Sequence, residues 1–552
     1  MMRPSHLLLI ALVLAATVVV TDDNLDESKA IEKIELLGGN VTRDETLVGR
    51  PVIGVSIGRS KRFNEKYFHL FGELPSLKEL KLIDAKITDD TIGKISDLKE
   101  LTTLDIQSSS VSHEGMKALV KLTSLITLRL GEGTISNVSL EDLSELKNLQ
   151  TLVLYGSNRS NRRITDVDLK EISRLEGLIS LDLSCSGIAI TDDGLRTISK
   201  LKNLTTLVFS GGNNHITDVG LNEISKLQNL TKLCIYCDEI ENPGSGLREI
   251  CKLSHLESLD LTAIALKGVG FKELSKCKHL TTFKLRAIVF KDAVMKEICE
   301  LRNLTTLDLK YARLTDESFK ELSNLANLIN LNLTETLISD ESMKEITKLR
   351  NLKSLNLSKT HITNAAIKQI GKLTNLTMLD IADTPIGNMG LKEMNGLTNL
   401  TMLNLSRTHI SDEGMREISD LRNLSVLHLD QTEITDIGLT DLKELKSLTA
   451  LHLTDTAITD TALKDLSDLK NLKTLFLAKT KITDVGLKHL GGLTNLTTLD
   501  LGLTQNTDIG LNELNDLKNL KNLKTPFVGK TPVTDEGVKE LQEALPNLQI
   551  IR

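Results

Sequence analysis

Leu424-Ser-Val-Leu427-His-Leu429-Asp-Gln-Thr432-Glu-Ile434-Thr435-Asp436-Ile-Gly438-Leu439 holds two periodicities end to end. Its first part, Leu-x-x-Leu-x-Leu, ends in the alternation of a short strand whose leucines point to one side. Its second part, Ile-Thr-Asp-x-Gly-Leu-x-x-Leu, spaces apolar residues by three and four, as one face of a helix requires. Thr435 or Asp436 can cap that helix, and the acid suits the positive end of the helix dipole. The strand frame recurs at 24-residue steps from Leu256, through Leu280, Leu304 and so on, to Leu496 and Leu520. A strand and a short helix cannot bury their leucines alone. Stacked, such units share one continuous core and place a parallel sheet on the inner side.

The frame extends outward from this stretch in both directions. Looser copies start at Leu77, Leu101, Leu125, Leu149, Leu178, Leu204 and Leu230, a degenerate first copy starts at Val52, and a last one at Leu548, giving 21 strand-bearing units. At ~4.8 Å per strand the inner face would run on the order of 100 Å. The ninth residue of the unit is Thr eight times running, from Thr336 to Thr504, and the sequence predicts a stacked column of hydroxyls serving the turn after each strand. Four consecutive units, from Leu149 to Leu253, are longer, at 29, 26, 26 and 26 residues. Their extra residues fall after the strand and are expected to form loops on one face.

Composition agrees with a repeat array and restricts what else the chain can be. The 552 residues contain 3% aromatics and no Trp, too little bulk for three or four separate compact cores. Lys+Arg number 67 against 74 Asp+Glu, and a net charge of -7 argues against nucleic acid as a partner. Leu7 to Val20 is an apolar run after Arg3, broken only by Thr17 and ended by Asp22 and Asp23. Its length is that of a signal peptide and short of a spanning helix, with a cleavage site after Ala15; an N-terminal anchor is the other reading. The organisation predicted is therefore a signal peptide or anchor over 1–20, an N-terminal cap and degenerate first repeat over 21–76, repeats over 77–547, and a closing strand over 548–552.

This sequence resembles the leucine-rich-repeat family over roughly 500 of its 552 residues. Thr replaces the usual ninth-position Asn, and Ile-Thr-Asp-x-Gly-Leu resembles the cysteine-containing subtype known from F-box ubiquitin-ligase receptors and related bacterial effectors. Ala30 to Gly39 followed by Val41-Thr-Arg-Asp-Glu is similar to the N-terminal cap of repeat-only bacterial proteins, and Ala544 to Ile551 to their closing unit. The resemblance implies an α/β solenoid, a leucine-rich-repeat horseshoe with a parallel inner sheet and short outer helices. It further implies a non-enzymatic scaffold that binds a protein or cell-surface polymer. Export to the periplasm, cell surface or medium follows from the leader. The alternative is the substrate-recognition component of an F-box-type ubiquitin ligase, although residues 21–76 do not read as an F-box.

Motifs that imitate catalytic ones fail on inspection. Gly529-Lys530-Thr531 has Lys524 where a phosphate loop needs its first glycine. Gly244-Ser245-Gly246 lacks a strand–elbow–helix frame, and His113-Glu114 has no second His four residues on. No cofactor is expected, and nothing in the sequence bears on oligomeric state. Cys277 occupies a leucine position and reads as a small buried hydrophobe; Cys251 and Cys299 share a position two units apart, too far to bridge. Thirteen Asn-x-Ser/Thr sequons, Asn203 and Asn375 among them, arise from the repeat consensus. The candidate ligand-binding residues fall in two groups. Tyr155, Arg159, Arg162, Arg163, His215, Tyr236, Arg286, Lys310 and Tyr311 cluster where the units lengthen and the Thr column is broken, and Tyr and Arg are enriched in binding hot spots. His428 and His452 share one strand position on adjacent units, with Asp383, Asp430 and Asp455 nearby. A weak divalent-metal site would use such residues, but two His without a fixed third ligand read as solvated or mutually hydrogen-bonded imidazoles, and no metal is expected.

Overall fold

A computed structural model describes residues 23–551 except 59–62, 84, 86, 108–110, 132–139, 157–162, 185–187, 211–214, 242–243, 268–269, 288–292, 517–519, 521, 545–547 and 549. The chain forms two compact units, Met1–Arg162 and Arg163–Arg552. The apolar run at Leu7–Val20 lies outside the described residues, as do Arg159 and Arg162. No helix among the described residues is long and apolar enough to cross a membrane.

In the first unit, the helix Asp23–Leu36 and the residue after it bury Ala30, Ile31, Ile34 and Leu37, one stripe at helical spacing. The strand Gly39–Arg43 then runs antiparallel to Val52–Ile57. From Val52–Ile57 onward the sheet is parallel, through Glu79–Ile83, Thr103–Gln107, Thr127–Leu130 and Thr151–Leu154. The antiparallel strand therefore covers an edge that would otherwise expose unpaired N–H and C=O groups. Phe63 packs on Phe68 and Phe71 at ring-centroid distances of 5.4 and 5.7 Å.

The second unit is an α/β solenoid whose parallel strands run from Ser180–Ser184 to Thr525–Phe527, each opposite the same residue of its neighbours. Leu427, for example, lies between Leu403 and Leu451. Leu424, Leu427, Leu429 and Ile434 have no exposed surface, which is why the frame tolerates so little variation. The last strand corrects the frame: Leu499 pairs with Pro526, so the final strand frame begins at Leu523, not Leu520.

Two columns of polar residues hold successive turns, and the Thr column serves the turn after each strand as expected. Each ninth-position Thr is buried, and its hydroxyl donates to the strand carbonyl three residues earlier, as in Thr432 to Leu429 at 2.6 Å and Thr456 to Leu453 at 2.7 Å. These bonds close the turn within one unit and do not form a ladder between units. The residue just before each Thr is left-handed, with φ near 57°, from Glu335 to Leu503, so the chain turns sharply there and the hydroxyl satisfies the carbonyl the turn leaves over. The second column, Ile-Thr-Asp, bonds one unit to the next. Asp412 accepts the N–H and hydroxyl of Thr435 at 2.8 and 2.6 Å, Thr435 caps its own helix through the N–H of Ile437, and Asp436 then accepts from Thr459 at 2.7 and 2.6 Å. Gly438 follows because a Cβ there would stand 2.6 Å from Asp412 Oδ1.

The lengthened units also depart from expectation. Of their described extra residues, Ile188–Ala189 and 239–241 are strand, not loop, whereas Arg163 lies outside any strand and Gly244–Ile250 is a helix. Ile164–Thr165 pairs with Ile188–Ala189, Ile216–Thr217 pairs with Ile240 and Glu241, and the ten-residue strands Lys232–Glu241 and Ser258–Lys267 pair along most of their length. These insertion residues find backbone partners on the neighbouring turns, so the pairing continues beyond the usual strand end. Cys277 is buried but is not a simple hydrophobe: it forms a disulfide with Cys251, across a Cα–Cα distance of 4.3 Å. Cys251 and Cys277 meet diagonally on adjacent units, a pairing that comparison of equivalent positions alone passes over.

Candidate functional site

The inner face is set by the strand position between the two paired leucines and by the position two residues later, both of which alternation turns away from the core. In the second unit the first position carries Cys234, Asp260, Lys284, Asp308, Asn332 and Asn356 in succession, then Asp380, Asn404, His428, His452, Phe476 and Asp500. The second position carries Tyr236, Thr262 and Arg286 as direct cross-strand partners, followed by Lys310 one unit on.

The two columns interact. Tyr236 donates its hydroxyl to Oδ2 of Asp260 at 2.7 Å, and Asp260 is 2% exposed. Burial and that carboxylate push the Tyr236 phenol well above its ordinary range. Arg286 reaches Asp308 through Nε and Nη2 at 3.2 and 2.9 Å, and the Lys310 N–H donates to the other Asp308 oxygen. Lys310 Nζ lies 4.5 Å from the centre of the Tyr311 ring, and Tyr311 is 42% exposed with φ 69°. That left-handed backbone belongs to the repeat position, which it shares with Glu335 and Lys359.

In the first unit Tyr155 crosses Gly131, where a Cβ would stand 3.0 Å from its ring, and donates its hydroxyl to Asp105 at 2.9 Å. Burial and Asp105 raise its phenol pKa. Arg163 is exposed at the start of the second unit, and His215 is exposed with its N–H donated to Ile190. Asp105, Asp260 and Asp308, which hold these tyrosines and the arginine, were not singled out from the sequence. Their signal was an acid between the two paired apolar residues of the strand, as in Leu259-Asp260-Leu261.

His428 and His452 are cross-strand partners, with ring centroids 3.9 Å apart, and His452 lies 4.5 Å from Phe476. Burial lowers the pKa of both imidazoles, and for His452, which also feels His428, to about 4. Asp430 stands within reach of both rings, while Asp455 pairs with Lys479 and Asp383 with Arg407. Burial raises the carboxyl pKa of Asp380, two strands from His428. Cys234 faces the column as a buried thiol whose pKa burial and Asp260 raise to about 11, far from a reactive thiolate. A shallow depression at the strand starts is lined by Asn203, Thr205, Asn229 and Thr231. Their side chains already donate to carbonyls of preceding units, so the depression is a product of the repeat.

Residues 336–484 match the family model of a leucine-rich repeat region, and residues 300–323 that of a leucine-rich repeat. The chain carries leucine-rich repeats. No curated protein sequence matches it. Among solved structures it is similar to a leucine-rich-repeat protein of Leptospira interrogans, at 23% identity over 82% of this chain and 96% of that one, with a TM-score of 0.43. It is similar to an internalin from Listeria monocytogenes at 22% identity, over 70% of this chain and 93% of that one, TM-score 0.39. The ectodomain of an Arabidopsis receptor kinase in complex with a peptide hormone is 16% identical, over 96% of this chain and 89% of that one, TM-score 0.42. Through these leucine-rich repeats, the second unit thus presents two distinct groups on its inner face: the Tyr236–Tyr311 band and the His428–His452 pair.

Proposed function

We propose that this protein, with its leucine-rich repeats, is an exported, non-enzymatic scaffold that binds a protein or surface polymer along the inner face of its second unit. The observation that carries the reading is the register that sets Tyr236, Thr262 and Arg286 side by side, with Lys310 and Tyr311 one unit on. Tyr and Arg are enriched among the few hot-spot residues that dominate binding energy in protein interfaces. Here Asp260 and Asp308 already fix Tyr236 and Arg286, so a ligand meets ordered side chains and less rotamer freedom is lost on binding. Export is supported by the Leu7–Val20 run and by the Cys251–Cys277 disulfide, since disulfides persist in oxidising compartments. A net charge of -7 favours a protein or carbohydrate ligand over nucleic acid.

The test begins with ligand capture by the full chain from its native host, followed by affinity measurement on the purified ligand. Tyr311→Ala should weaken binding by ~2 kcal/mol or more and leave the melting temperature in place, because the ring is exposed and anchors no core. A ligand that binds Tyr311→Ala and Lys310→Ala with the parent affinity would remove the band from consideration. N-terminal sequencing of the fractionated protein checks export; a wholly cytosolic pool with intact Met1 would contradict it.

A further inference from the structure

His428 and His452 occupy the same inner-face position of adjacent strands and are registered as direct partners. Asp430, two residues beyond His428, faces the same side by strand alternation. One ligand atom from each of the three residues lies within 4.8 Å of the other two. The carboxylate is already oriented: Oδ1 accepts the Thr454 N–H at 2.8 Å and Oδ2 the Ser406 hydroxyl at 3.3 Å. Phe476 flanks His452 at 4.5 Å and walls the cluster on that side. All three residues keep partial exposure, so an ion has a path to them.

We propose that His428, His452 and Asp430 bind one divalent transition-metal ion of the zinc class, leaving a coordination position open on the inner face. Two imidazole nitrogens and a carboxylate oxygen are a donor set that suits such ions, and three protein ligands leave the fourth vertex of a tetrahedron to solvent or to a ligand. Zinc ligands at roughly 2.0–2.2 Å stand about 3.4 Å from one another in a tetrahedron, so donors that lie within 4.8 Å of one another need to draw together by at most ~1.4 Å. Rotation about the imidazole χ2, a soft torsion, supplies that movement without displacing the strands. Calcium and magnesium prefer oxygen ligands in larger number, which this cluster does not offer. The competing account is that the two rings and Phe476 are a packed aromatic row with no ion.

Isothermal titration calorimetry of the full chain with zinc chloride at neutral pH should show one ion per chain. Calcium chloride should give no heat beyond dilution. His428→Asn and His452→Asn should each weaken zinc binding at least tenfold. Asp430→Asn should also weaken it while keeping an acceptor for the Thr454 N–H. Cobalt(II) added to the unaltered chain should give a visible d–d absorption that zinc displaces, a readout that does not depend on any variant folding. Absence of the cobalt band, or a His428→Asn/His452→Asn double variant that binds zinc with the parent affinity, would overturn the site.

Discussion

Gly438 shows how closely one atom is specified. Its N–H donates to Asp412 Oδ1 at 3.0 Å, and a Cβ would stand 2.6 Å from that oxygen and 3.0 Å from Met415 Cγ. The carboxylate cannot retreat without releasing Thr435, so Gly438→Ala should destabilise by about 1–3 kcal/mol, read as a lower melting temperature. Gly72→Ala, with nothing within 4 Å of its Cβ, is the neutral control. The histidine pair gives a pH-dependence. Burial depresses the folded-state pKa of His452 to about 4, below the ordinary 6.5, so between those values the unfolded chain binds more protons. The stability contributed by the neutral ring is present above about pH 6.5 and is lost as pH falls through about 4. His428 shifts in the same direction, while the raised Asp380 and Asp500 act oppositely. Melting curves of the parent and of His428→Asn/His452→Asn should therefore diverge between pH 7 and 4, the variant losing less stability. Parallel curves would show that the rings do not titrate differently on folding.

Among the elements, the helix starts carry side-chain bonds from one unit to the next that the ninth-position Thr does not. Thr432 closes its own turn, whereas Asp436 joins one unit to the next through two bonds to Thr459. Asp436→Ala leaves a Thr459 N–H without its acceptor and should cost about 1–3 kcal/mol. Asp436→Asn should cost less, because an amide oxygen still accepts the N–H; Asn388 already does this for Ser411 at 3.0 Å. Thermal unfolding of the two variants side by side decides the matter, and equal losses would mean that the carboxylate charge, not the hydrogen bond, is what the position requires. The Asn of the sequons serves in the same way: Asn203, Asn303 and Asn375 donate to carbonyls of the preceding unit, which explains their recurrence without reference to glycosylation.

For the second unit as a whole, stability should behave as a sum over neighbouring turns, since each turn touches only the next. The last turns contribute buried Val528, Val533, Leu541 and Leu548, and Ile551 bonds back to Pro526 and Val528. Removing residues 521–552 uncovers the edge strand Thr498–Asp500 and the apolar residues behind it. The truncated chain should aggregate on size-exclusion chromatography; a monodisperse product with the parent melting temperature would deny the C-terminal turns a capping role.

The sequence by itself determined the unit, its strand-then-helix order, the parallel inner sheet and the neighbourhood of His428 and His452. In a stacked array, equal spacing along the chain becomes adjacency in space, so periodicity can be read directly as distance. The Ile-Thr-Asp-x-Gly-Leu consensus was legible as a helix start, but its reach into the next unit was not. That depends on which way a carboxylate points from its turn. The same limit explains the other departures. Tyr155 finds Asp105 only because Gly131 leaves room for the ring to cross an intervening strand. Cys251 meets Cys277 on a diagonal, the insertion residues Ile188–Ala189 and 239–241 become strand by pairing with neighbouring turns, and the last frame shifts to Leu523. Each of these is a local departure from the period, and where the period fails, only packed side chains and paired backbones decide which groups meet.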